Sequence, residues 1–134
     1  MRPLLLFGLL ACALTVGCDS STPADKREGV SGKVTLDGVP LAEGTISFDA
    51  GDGAVPGNAE VRGGAYTLAA KPGKNRVVIR AFRIDPKVKV STDPVRPIDG
   101  RVNYVPAIYN DKTTLSAEVG ATKTFDFALM STPK

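Results

Sequence analysis

The residues equipped for chemistry are few, and one absence governs the rest: the chain has no histidine. The commonest general base and the commonest metal ligand are therefore missing, and with them every Ser-His-Asp or Cys-His arrangement. Two neighbouring carboxylates, Asp49 and Asp52 in DAGDGAVPG, raise the question of calcium. Calcium takes about six to eight oxygen ligands, so two carboxylates among glycines fall short, and a solvated turn is expected. Tyr104 and Tyr109 bracket VPAI. Exposed tyrosines beside a loop are able to stack on sugar rings, with core or edge packing as the plainer alternative. The densest feature is electrostatic. Lys71, Lys74, Arg76, Arg80, Arg83, Lys87, Lys89, Arg96 and Arg101 stand against only Asp85, Asp93 and Asp99, a local +6 in a chain of formal charge +3. Arg76, Arg80, Arg83, Lys87 and Lys89 are the candidate contacts with an anionic surface: lipid headgroups, an envelope polymer or an acidic partner protein. The mild overall balance gives no reason to expect nucleic acid. Neither a metal nor a cofactor is expected.

Two cysteines, Cys12 and Cys18, both lie near the start, in MRPLLLFGLLACALTVGC. Arg2 precedes a mostly apolar stretch from Pro3 to Val16, the layout of a secretory signal peptide. That stretch is shorter than the roughly 20 apolar residues of a membrane-spanning helix. Without Arg2 the formal charge falls from +3 to +2. The exit, Thr15-Val16-Gly17-Cys18, resembles the lipobox of bacterial lipoproteins, in which a Leu, a small or branched residue and Gly or Ala precede the Cys. Val16, Gly17 and Cys18 fit, and Thr15 stands where Leu is usual. Leu9-Leu10-Ala11-Cys12 also fits, with an unusually short leader, and ranks second. The resemblance implies that Cys18 carries a lipid and becomes the first mature residue. It implies export, a lipoprotein anchored to an envelope membrane and palmitate-type acylation. The mature chain would then hold neither free thiol nor disulfide. DSSTPADKRE, residues 19–28, is polar and lacks apolar periodicity, which marks a flexible spacer. The expected division is a leader over 1–17, lipidated Cys and linker over 18–28, and a folded domain over 29–134.

Beyond the spacer the pattern has period two, the signature of half-buried strands. VSGKVTL turns Val30, Gly32, Val34 and Leu36 one way; TISFDA does so with Ile46 and Phe48. NAEVRGGAYTLAA reads as a hairpin with Ala59, Val61, Tyr66 and Leu68 inward and Gly63-Gly64 at the turn. KPGKNRVVIRAFRI predicts the longest strand, with Val77, Ile79 and Ala81 inward. Residues 85–100 hold three prolines and no steady alternation, and so predict a surface loop. RVNYVP, LSAEV and TFDFALM complete a set of seven or eight strands, with Phe125, Phe127 and Leu129 inward. Short strands with frequent turns in about 105 residues predict an all-β fold, an antiparallel sandwich of about seven strands.

GKVTLDGVPLAEGTISF resembles the opening of carboxypeptidase-regulatory-like domains, which have the transthyretin-like fold. Gly32, Val34, Asp37, Gly38, Pro40, Leu41, Ile46 and Phe48 carry the match, and Gly64, Tyr66, Pro72, Gly73, Val77 and Ile79 continue it. In carboxypeptidases such a domain accompanies the catalytic unit and is not itself catalytic, which implies a binding or structural module here. A related purine-pathway hydrolase needs His and a C-terminal Tyr-Arg-Gly-Ser, both lacking. Some related surface domains cross-link a buried Lys to Asn or Asp. Lys33 and Asp126 alternate opposite to their apolar neighbours and should face outward, which argues against that chemistry. The sequence therefore predicts a non-enzymatic, lipid-anchored envelope module. A carbohydrate-binding module working through Tyr104 and Tyr109 is the alternative.

Overall fold

The alternation is realised in a computed structural model describing residues 25–133; Cys12, Cys18, the leader and most of the spacer lie outside the described residues. In chain order the strands are β1 (Glu28–Leu36), β2 (Val39–Pro40), β3 (Glu43–Asp49), β4 (Gly57–Arg62), β5 (Ala65–Ala70), β6 (Gly73–Arg80), β7 (Phe82–Ile84), β8 (Arg101–Asn103), β9 (Ser116–Val119) and β10 (Phe127–Leu129). A 3₁₀ turn at Ala107–Tyr109 lies between β8 and β9. The fold is all-β, an antiparallel sandwich built by one curled sheet of order β10-β1-β5-β4-β3-β6-β9. β2 pairs beside β1, and β7–β8 form a separate two-stranded sheet.

Each inward position of the strand pattern supplies the core. Val30, Val34, Ile46, Phe48, Val61, Tyr66, Leu68, Val77, Ile79 and Leu129 are buried, while the intervening Ser31, Lys33, Thr45, Glu60 and Thr67 are exposed. An aromatic cluster marks its centre. The Phe48 ring lies 6.1–6.3 Å from those of Tyr66, Phe125 and Phe127. Phe125 and Phe127 are half-buried and pack against the core from its open side. Tyr66 donates its hydroxyl hydrogen bond to the Phe125 carbonyl at 2.7 Å. Burial, and secondarily the Asp126 carboxylate, push its phenol above the ordinary 10.0, so it remains a donor. All these core side chains fall between Val30 and Leu129. The described body thus holds by itself the core that a domain of roughly 100 residues needs to fold alone.

Two positions are set by backbone geometry. Asp37 and Gly38 both have positive φ (53° and 80°), the Asp-Gly hairpin geometry that joins β1 to β2. Gly32 answers a different need: a Cβ there would lie 1.9 Å from the Phe125 carbonyl oxygen, so only glycine lets the last segment cross β1.

Three features depart from the sequence expectation. β10 runs parallel to β1, with Val34 opposite Phe127 and Leu36 opposite Leu129, although every other strand pair is antiparallel. The run expected as the longest strand is divided at Ala81, with β6 in the main sheet and β7 in the small one. Ala81 is buried and donates its N–H to Asn103 Oδ1, while its carbonyl accepts from the Tyr104 N–H. These two bonds lead the chain off the sheet. β1 also starts at Glu28, one residue before the expected boundary at 29. Asp25 and Glu28, placed in the flexible spacer by composition, are ion-paired to Arg27 and Lys71 and to Lys123 respectively.

Candidate interaction surface

Several cations outside the 82–103 segment have carboxylate partners. Lys71 pairs with Asp52 and Asp25, Arg62 with Glu60, Lys123 with Glu28, and Arg80 with Asp111 at 2.7 Å. The local electrostatics agree. The Lys71 hydrogen bond holds the Asp52 carboxyl below its ordinary range, Arg27 does the same for Asp25, and Lys123 for Glu28. The Asp52 hydrogen bond in turn raises Lys71.

In the Asp49–Asp52 loop the carboxylates have local backbone partners. Asp49 Oδ1 accepts from the Gly51 N–H at 2.8 Å, and Asp52 Oδ1 from the Ala54 N–H at 3.1 Å. These are side chains closing their own turns. Among the described residues no three His, Cys, Asp or Glu side chains converge. Lys33 is exposed, as its alternation requires, and its backbone N–H donates to Asp126 Oδ1 at 2.8 Å. Asp126 therefore fills a gap in the parallel β1–β10 ladder, a structural role that its outward direction alone did not suggest.

The five cations expected to form one basic face fall into two groups. Arg76 and Arg80 lie on β6 and turn toward the segment after the 3₁₀ turn. Arg76 Nη2 lies 3.4 Å from the carbonyl oxygens of Asn110 and Asp111, and Arg80 reaches the Asp111 carboxylate. Arg83, Lys87 and Lys89 belong instead to an arm, residues 82–103, in which β7 and β8 pair Phe82 with Asn103 and Ile84 with Arg101. The loop between them is closed by paired hydrogen bonds between Ser91 and Ile98.

Within this arm the acids serve the backbone. Asp85 Oδ1 accepts from the Lys87 N–H, Asp93 Oδ1 from those of Val95 and Arg96, and Asp99 Oδ1 from that of Arg101. Arg83, Lys87, Lys89, Arg96 and Arg101 have no carboxylate within ion-pair distance among the described residues. Two of them lie over aromatic rings: Arg83 is 5.4 Å from the Tyr104 centroid and Arg101 is 5.7 Å from that of Phe82.

The two tyrosines do not form an exposed pair. Tyr109 is 9% exposed, belongs to the core, and accepts the Met130 N–H on its hydroxyl at 3.1 Å. The 3₁₀ turn rotates it inward. Asn110, also buried, holds that turn with its amide on the Val105 and Pro106 carbonyls. Tyr104 packs against the core and has Arg83 over its ring. Sequence reasoning missed the arm's apolar side chains. Phe82, Ile84, Val90, Val95 and Ile98 are all exposed, and the available signal was an aliphatic residue recurring in a proline-rich stretch without period two.

Two surface depressions accompany these elements. One, of about 270 Å³, lies where the arm meets β3 and β4, with Glu43, Glu60, Arg62 and Arg101 around it. The other, of about 450 Å³, lies by Asp49, Lys74, Arg76, Thr113 and Ser116. Both mix opposite charges, and neither gathers cations of one sign without acids.

No known family's sequence profile matches the chain, and no curated protein matches it. Among solved structures, a 9R-lipoxygenase from Cyanothece PCC8801 aligns with 82% of this chain at 15% identity and a TM-score of 0.35. The chain spans 17% of that enzyme's length.

Proposed function

We propose that this chain is an exported, lipid-anchored module of the cell envelope, with a carboxypeptidase-regulatory-like, transthyretin-like sandwich that acts by binding or bracing and not by catalysis. The observation that carries the reading is Cys18, placed after a basic-then-apolar leader and Val16-Gly17, and followed by a polar spacer. The folded body supports it from the other side: β1 starts at Glu28, with nine residues between it and Cys18, so the sheet begins a short stretch of chain away from the proposed anchor. The missing histidine supports a non-catalytic role, as does the use of Asp49, Asp52 and Asp126 for turn and ladder hydrogen bonds. Among the described residues no helix is long and apolar enough to cross a membrane.

The test is radiolabelled palmitate incorporation by the full chain expressed in a bacterium. The wild type should take up label and partition into detergent. Cys18→Ser should lose both, while Cys12→Ser should keep both. Label that survives Cys18→Ser and disappears with Cys12→Ser would move the anchor to Cys12.

A further inference from the structure

The arm inverts the ordinary arrangement of a surface loop. Among the described residues nine large hydrophobic side chains are exposed, and five of them sit on the 22 residues from Phe82 to Asn103. Val95 is 82% exposed, Val90 67% and Ile84 65%. Single exposed aliphatics need no explanation, but a concentration of them marks a contact surface. Their spacing is equally informative. Arg83, Lys87, Lys89, Arg96 and Arg101 are interspersed with Ile84, Val90, Val95 and Ile98, so apolar tips and cations are mixed along the arm. The carboxylates that would neutralise those cations are turned onto backbone N–H groups.

We propose that the arm of residues 82–103 docks on an anionic phospholipid bilayer, its aliphatic tips entering the headgroup region while its unpaired Lys and Arg side chains meet lipid phosphates. The proposal deepens the anchored-module reading and rests on it for its setting. A bilayer surface fits better than a folded partner. It accepts apolar tips and cationic stems in any order, whereas a protein interface asks for a contiguous apolar centre with a polar rim. It fits better than an anionic polymer, which would use the cations and leave Val90 and Val95 in water. The tether and the arm are also complementary: the lipid on Cys18 would hold the body near the bilayer, and a weak attraction by the arm would choose which face it turns.

The chain has no tryptophan, so a single introduced one reports its own surroundings. Val95→Trp and, as a control on the sheet, Thr67→Trp are made in body 25–134, with a thermal melt to confirm that each folds. Each is mixed with vesicles of phosphatidylglycerol and phosphatidylcholine (3:7), with and without brominated acyl chains. The expected result is a blue shift and bromine quenching at 95 but not at 67, little binding to pure phosphatidylcholine, and about tenfold or greater weakening by Lys87→Ser with Lys89→Ser. Binding without quenching at 95, equal binding to dextran sulfate, or loss of a concentration-dependent dimer on Val95→Ser would each overturn the proposal, the last two in favour of a polymer and a second copy. The full chain reconstituted in the same vesicles separates the two readings. If it stays with the vesicles and Val95→Trp is unquenched, the anchor stands and the arm proposal falls. If body 25–134 shows the quenching while Cys18→Ser leaves palmitate incorporation unchanged, the arm stands and the choice of anchor falls.

Discussion

Lys71 and Lys87 each have an aspartate close by, and the two aspartates behave differently. Asp52 sends one oxygen to the Ala54 N–H and the other to the Lys71 ammonium. Asp85 accepts the Lys87 backbone N–H, and the ammonium remains without a carboxylate. The same contrast runs through both regions. On the sheet and its flanks, apolar residues face in and Arg62, Lys71, Arg80 and Lys123 meet carboxylates; on the arm, aliphatics face out and the cations meet none. Stability should therefore reside in the sheet, and the arm should be nearly free to change without unfolding the protein.

The sharpest way to break this comparison is to cut the core and the arm with equal-handed substitutions. Phe48→Ala, at the centre of the aromatic cluster, should cost about 3–5 kcal/mol, whereas Val95→Ala should stay within about 0.5 kcal/mol. Urea melts of the two variants decide it. Equal costs would mean that the arm is part of the cooperative core.

Smaller effects sharpen the boundary. Tyr109→Phe removes the hydroxyl that accepts the Met130 N–H and should cost about 1 kcal/mol, while leaving the ring buried. Asp126→Ala removes the acceptor of the Lys33 N–H and should cost about 1 kcal/mol, with Asp126→Asn retaining part of it. If Asp126→Ala were neutral in a denaturant melt, the ladder would close without its carboxylate.

The least of the expected effects is a response to acid. Asp25, Asp37, Asp52 and Glu28 are all held below their ordinary values of 3.8 and 4.5, chiefly by hydrogen bonds from Arg27, the Ser131 backbone, Lys71 and Lys123 in turn. Lowered folded-state values mean that their stabilisation is complete above the unfolded-state values and is lost as pH falls through the folded ones. Tm should thus be level near neutrality and decline below about pH 4, and Asp52→Asn should flatten part of that decline. A Tm that rises on acidification would contradict the pairing described for the sheet.

The sheet was legible in the sequence because it obeys one rule repeatedly. Val30, Val34, Ile46, Phe48, Tyr66, Leu68, Val77 and Ile79 each sit on the expected inward position. The break at Ala81 was not legible, since Ala81 is itself buried and in phase with Val77 and Ile79; what stops the strand is a side chain 22 residues away, that of Asn103. The inward facing of Tyr109 was not fixed by the sequence for a related reason. A single 3₁₀ turn shifts the facing of residues without leaving a period, and the buried Asn110 that secures it looks in sequence like any loop asparagine. The basic stretch was visible as charge, but its division into paired and unpaired cations depends on where Asp111, Asp85 and Asp99 point, which composition does not encode.

The parallel pairing of β1 with β10 also orders events in time. Lys33 and Asp126, joined across 93 residues, are among the first and last parts of the domain to be synthesised. Hairpins such as β3–β4 need only local chain and form early, whereas a contact of such long range waits on the closure of most of the polypeptide. Until Leu129 has emerged, Val34 and Phe48 lack the cover that Phe127 and its neighbours provide. A chain passed through a pore from its N-terminus would therefore travel with its sheet unclosed and complete its fold only after the final strand arrives.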